Sequence, residues 1–230
     1  MLDEENRMLG VVTAQSLIQT VDDALSEDYA RLAGLSAEED LNETLVQSVR
    51  KRLPWLLVLL GLGMVVSSVV GLFESVVAQL TLIVCFQSLV LDMAGNVGTQ
   101  SLAVTIRVLM DSETTGAQKR KLVWKEARVG LMNGAILGAA SFVLIGAYLL
   151  LRGEAALMAF GVSGCIGIAL IAAMLLSSIS GTVIPIFFKK IGVDPAVASG
   201  PLITTVNDLV AVVSYYGLTW LLLIEWLHLA

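Results

Sequence analysis

Asp208 is the one formal charge between Pro195 and Ile224, a run otherwise apolar enough to cross a bilayer. A second apolar run, Ser75 to Ile106, holds Asp92 as its one formal charge, followed by Gly95-Asn96-Val97-Gly98-Thr99-Gln100. These are hard oxygen donors: carboxylates, amides, hydroxyls and, if the backbone opens, carbonyls. Neither run contains His, and Cys85 and Cys165 are not at ligand spacing from each other. Zinc and copper usually recruit those side chains. Oxygen sites suit Mg²⁺ or Ca²⁺, and one carboxylate with several amides favours Mg²⁺, which keeps most of its water. An ionisable side chain at membrane depth is by default a functional residue, and polar groups survive there only against protein or water.

Spacing sharpens this reading. On a helical wheel Thr204, Asn207, Asp208, Ala211 and Tyr215 share a stripe roughly 100° wide. Asn96 and Gln100 lie four apart on one face, with Asp92 four residues earlier on the same face. Gly95 and Gly98 permit either close backbone approach or local unwinding, which would free carbonyls such as that of Gly95 to act as ligands. A twofold dimer would bring two Asp208 side chains together on its axis, matching the charge of a divalent ion. The residues alone lead to a divalent cation path rather than to a named metal.

Five apolar spans must position these groups: about 53–73, 75–106, 129–151, 155–188 and 195–224, each near or above the roughly 20 residues a crossing needs. The chain is 57% hydrophobic and 15% charged, with a mean hydropathy of +0.84, far from the averages of soluble proteins. It reads as an all-α integral membrane protein. Basic residues gather on one side: Arg50, Lys51 and Arg52 before span one, Arg107 and Lys119 to Arg128 between spans two and three, Lys189 and Lys190 after span four. The opposite side has Arg152. The positive-inside rule therefore sets the N-terminus in the cytosol and the C-terminus outside.

Residues 1–49 form a separate acidic cytosolic tail, with eleven acids against Arg7 and Arg31. Met8, Val11, Val12, Leu17, Ile18, Val21 and Leu25 recur at helical spacing, which predicts one or two short amphipathic helices. The membrane body then occupies 50–230. The basic run Lys119 to Lys121 is short and explained by topology, so nucleic-acid binding is not indicated.

Several strings resemble the MgtE family of magnesium transporters. They are Arg52-Leu53-Pro54-Trp55-Leu56, Gly71-Leu72-Phe73-Glu74, the run Gly95 to Arg107, Asp194-Pro195-Ala196 through Ser199-Gly200-Pro201, and Thr204-Thr205-Val206-Asn207-Asp208. The resemblance covers nearly the whole chain from about Arg50, in the family's order, and extends to the eukaryotic solute-carrier relatives. It implies a homodimer of five-helix subunits in the plasma membrane, with spans two and five lining a central Mg²⁺ path. Asp208 matches the ion-coordinating aspartate, Thr204 would offer its backbone carbonyl, and Asn96 would lie close to the path. Asn207 stands where many relatives have a hydroxyl residue, so its amide would add a ligand or replace a water.

Family members commonly precede span one with a large cytosolic domain and a CBS pair. The roughly 50 residues here are too few for either, so a membrane domain without those regulatory modules is expected. Asp92 also departs from the family's glycine-rich approach, and would act as a further ion ligand or a proton site. Two modes of Mg²⁺ transport stay open: a channel, or a carrier exchanging Mg²⁺ for Na⁺ or H⁺. Other divalent cations are possible cargo. The rival class is a membrane-embedded enzyme with an Asp92/Asp208 dyad sharing one proton. The Gly-x-Gly-Asp and Pro-Ala-Leu strings of intramembrane aspartyl proteases are not present, so a transporter, not an enzyme, is expected.

Overall fold

A computed structural model describes residues 11–35, 42–79, 81–110, 114–197 and 200–227. They form seven α-helices: α1 (Ala14–Leu32), α2 (Leu45–Leu72), α3 (Glu74–Gln79), α4 (Thr81–Leu109), α5 (Gly116–Leu151), α6 (Ala156–Lys190) and α7 (Gly200–Thr219), the last continuing as a π-turn over Trp220–Trp226. Five of these helices, α2, α4, α5, α6 and α7, are long and apolar enough to cross a membrane.

One helix start differs from the hydropathy reading: α5, the third spanning helix, begins at Gly116, well before Val129. A capping box starts it, with Gln118 Oε1 accepting from Thr115 N at 2.7 Å and Thr115 Oγ1 accepting from Gln118 N at 3.4 Å. Hydropathy registers the lipid-depth segment alone, and the basic turns before it are helical on local grounds.

Helix α6 is the centre of the protomer, with just over half of its apolar window buried, whereas none of that of α2 is. Glycines allow this. Gly130, Gly134 and Gly138 recur every four residues along α5, one above another on the face turned to α6. A Cβ at Gly134 would sit 2.8 Å from Ile171 Cα, and one at Gly138 2.7 Å from the Gly167 carbonyl. Small residues at this spacing let backbones approach, which is how helices gain contact where lipid supplies no hydrophobic drive.

Helix α7 lies against α4 and α6. Tyr215 and Tyr216 are buried in the core, and each hydroxyl finds a partner: Tyr215 donates to the Ile83 carbonyl at 2.7 Å, Tyr216 to Gln87 Oε1 at 2.6 Å. The large aromatic bodies fill space and the polar tips are satisfied.

Helix α1 begins at Thr13, whose hydroxyl accepts from Ser16 N at 3.0 Å. It ends at Gly34, at φ 80°, where a Cβ would also overlap the Trp55 indole. Its last turn docks beneath the bundle. Arg31 donates to Asp194 and to Glu27, and Leu32 packs on Leu102, Ile106 and Ile203. The bond to Asp194, ahead of the nearby acid charges, raises the Arg31 guanidinium above its ordinary value. Of the amphipathic positions expected in the tail, Leu17, Ile18, Val21 and Leu25 fall in this helix and are exposed. Met8 lies outside the described residues.

Candidate functional site

Helix α4 stays helical through Gly95 and Gly98. Of the two roles left to these glycines, the structure takes close approach rather than unwinding. A Cβ at Gly95 would lie 3.2 Å from Thr204 Cγ2, and one at Gly98 would overlap Asn207 Nδ2 and lie 3.3 Å from the Ser177 carbonyl. From the opposite side, a Cβ at Gly181 would overlap the Gly98 carbonyl. Thus α4, α6 and α7 meet at Gly98, α6 by its backbone and α7 through the Asn207 side chain. The Gly95 carbonyl remains in the helix and also accepts from Thr99 Oγ1 at 2.5 Å.

That contact fixes the register of α4 on α7. Gly95 meets Thr204, Thr99 meets Gly200 and Ile83 meets Tyr215, so each step along α4 is matched by one backwards along α7. Continuing the match sets Asn96 opposite Ile203 and Asp92 opposite Asn207, one residue from Thr204 and Asp208 respectively. The two intramembrane carboxylates therefore lie within about one residue, roughly 1.5 Å, of one another in depth on neighbouring helices.

The faces they occupy also follow. Asp92, Asn96 and Gln100 are exposed on the surface of the protomer, while Thr204 and Asp208 are half-buried beside them. The Thr204 hydroxyl is used within its own helix, donating to the Gly200 carbonyl at 3.0 Å. Asn207 is turned the other way. It is fully buried, its Oδ1 accepts from Ser180 Oγ at 2.5 Å, and its Nδ2 finds no partner among the described residues. The stripe read from the wheel is thus split, with Asp208 and Thr204 on its outer edge and Asn207, Ala211 and Tyr215 on its inner one.

A buried carboxylate escaped the sequence reading. Glu126 is 4% exposed. Ser101 Oγ stands 3.0 Å from its Oε2, and Ser178 Oγ donates to its backbone carbonyl at 2.7 Å. The signal was available: Glu126 precedes Gly130 by four residues, so it continues the glycine face of α5 and must point at α6. Its place in the basic run Lys119 to Arg128 disguised it as topology.

Among the described residues no three His, Cys, Asp or Glu side chains converge as a metal cage. The protomer instead offers a nearly level pair of carboxylates beside amides on an outer face. Cys85 is exposed, Cys165 is buried, and both are free thiols.

Comparison with known proteins supplies the family. The family profile MgtE, described as a divalent cation transporter, matches residues 87–218, from the second spanning helix to the fifth. Relatives include the magnesium transporter MgtE of Enterococcus faecalis, 36% identical, with 94% of this chain and 46% of the relative covered. That of Bacillus subtilis is 35% identical, with 94% and 46% covered, and that of Thermus thermophilus 30%, with 96% and 48%. The chain spans about half the length of these relatives. With five helices long and apolar enough to span and the profile matching more than half of its residues, this chain is a multi-pass membrane protein and belongs to the MgtE family of divalent cation transporters.

Proposed function

We propose that the protein carries Mg²⁺ across the plasma membrane along a path between two copies of the chain, lined by α4 and α7, with Asp208 holding the ion. The observation that carries this reading is the outer stripe of α4. Asp92, Asn96 and Gln100 are exposed at membrane depth, where lipid can satisfy neither a carboxylate nor an amide. A surface of this kind requires water and a facing protein. A twofold copy supplies both, because the same stripe then faces itself across the axis. The Asp208 carboxylates of the two copies flank a largely hydrated Mg²⁺, the mode this ion prefers, with Asn96 and the Thr204 carbonyl contacting its water.

Asn207 serves this site from behind. Its side chain fills the contact between Gly98 and Ser180, and so fixes the rotation of α7 that turns the next residue, Asp208, outward. The basic helix ends lie in the cytosol by the positive-inside rule, which also puts Asp194 and the docked α1 there.

The test is Mg²⁺ flux into proteoliposomes of the purified protein, with and without opposing Na⁺ and pH gradients. Asp208→Ala abolishes flux on this reading, and retained flux overturns the assignment. Flux following the Mg²⁺ gradient and voltage alone identifies a channel; a requirement for Na⁺ or H⁺ identifies a carrier.

A further inference from the structure

We propose that the first turns of α5 bind an anionic phospholipid, its phosphate held by Lys121, Lys125 and Arg128 and its acyl chain laid along the helix below them. The three cations line a cleft of about 710 Å³, together with Trp124 and Val129 of α5 and Val108 from the last turn of α4. They recur at spacings of four and three residues, so they share one face of the helix. Like charges so placed repel one another. Lys125 Nζ lies 3.5 Å from Glu126 Oε1, and that carboxylate is buried and also accepts from Ser101. Lys121 and Arg128 are exposed and form no ion pair among the described residues. Three cations against one buried carboxylate leave the cleft positive, and a bound anion relieves that repulsion.

Depth says which anion. A crossing of about 30 Å takes about 20 residues at 1.5 Å each. Counted back from Leu151, the end of α5, it reaches Met132. The headgroup layer adds about 5–7 Å. Arg128 falls within it, and Lys125 and Lys121 follow about one and two turns further out. Trp124 is 62% exposed at the same level, where amphipathic rings gather. The Arg128 fork matches a phosphate, and the lysines add point charges.

Below Arg128 the same face turns apolar, with Val129, Met132 and Ile136 all exposed. The glycine face of α5, at Gly130, Gly134 and Gly138, is the one that packs on α6. A free phosphate has no use for the apolar continuation, whereas a lipid needs both halves. Anionic lipids populate the cytoplasmic leaflet, the side to which the positive-inside rule assigns these residues. The site stands whether or not α4 and α7 line an ion path.

Trp124 reports the occupant. The full chain is reconstituted in phosphatidylcholine vesicles with a minor share of brominated phosphatidylglycerol or brominated phosphatidylcholine, and the quenching lost in Trp124→Phe is that of Trp124. At equal mole fraction the phosphatidylglycerol is expected to quench it more strongly. Each basic residue near the surface enriches an anionic lipid about fivefold, so the double variant Lys121→Gln, Arg128→Gln should lower that preference at least about fivefold. Glutamine suits a helix as well as lysine or arginine does, so the fold is retained. If it is not, the wild type alone carries the test, because added salt must erode its preference. Equal quenching by the two lipids, or a preference that survives the double variant or is insensitive to salt, overturns the site. No quenching by either lipid also overturns it, since acidic residues of the chain or a second copy then cover the cleft.

Discussion

Gly98→Ala puts the three-helix contact under direct strain. The added methyl overlaps Asn207 Nδ2, and Asn207 is fully buried and held by Ser180 at 2.5 Å. It yields only by rotating the amide out of that bond. A net hydrogen bond is worth about 1 kcal/mol, and leaving the buried Asn207 Oδ1 unsatisfied costs about 1–3 kcal/mol more. Ala in place of Gly returns about 1 kcal/mol of helix propensity, leaving a net loss of about 1–3 kcal/mol. Gly61→Ala in α2 is the control, since nothing lies within 4 Å of a Cβ there. It gains the same propensity of about 1 kcal/mol with nothing opposing it. The two variants, identical in chemistry, should therefore differ by about 2–4 kcal/mol, or roughly 5–15 °C in Tm for a chain of this size. Thermal unfolding in detergent measures that gap. Proteoliposome flux measures the functional half, because displacing Asn207 rotates Asp208. Equal Tm values, or wild-type flux in Gly98→Ala, would refute the claim that Asn207 is wedged against Gly98 and orients Asp208.

Where α1 docks, Arg31→Ala removes the ion pair that ties it to Asp194. Both side chains are about a third exposed, so the global cost is small, about 0–1 kcal/mol. Limited proteolysis should nonetheless cut within Ala14–Leu32 faster than in the wild type, and unchanged protection would mean that Leu32 alone holds the helix.

The spans and the singular aspartates were legible in the sequence because burial in lipid leaves a strong compositional trace. One charge in an apolar run stands out whatever the fold. The near-level match of Asp92 and Asp208 was not legible, since it depends on the register of α4 against α7, set by tertiary contacts at Gly95, Thr99 and Tyr215. Asn207 shows the limit of a helical wheel. Its angular position places it in the same stripe as Asp208, but periodicity does not say which edge of a stripe faces a neighbour. The glycines were visible as a choice between unwinding and close approach. Only the positions of Asn207, Ser177 and Gly181 decide it.

Asp92 decides between the remaining readings. If both copies of the chain contribute Asp92 and Asp208 at nearly one depth, four carboxylates meet where Mg²⁺ typically uses one or two. Asp208 is half-buried whereas Asp92 is exposed, so on the proposed path Asp92 would act on an ion held by Asp208 across an interhelical spacing of about 8–10 Å. At that range in a water-filled path, one carboxylate attracts a divalent ion by about 0.9 kcal/mol, roughly fourfold in occupancy. Asp92→Asn should thus reduce flux about fourfold at limiting Mg²⁺, and little at saturation, where Asp208→Ala removes it altogether. Complete loss in Asp92→Asn would mean that the two carboxylates act as one unit sharing a proton or an ion. The dyad arrangement would then return, because the same depth that suits a cation path also suits a carboxylate pair. If Asp92→Asn instead keeps downhill flux and loses its dependence on a Na⁺ or pH gradient, the residue couples Mg²⁺ to a second cation. The outer position of Asp92, open to the path yet one helix removed from the Asp208 carboxylate, is the geometry such coupling needs.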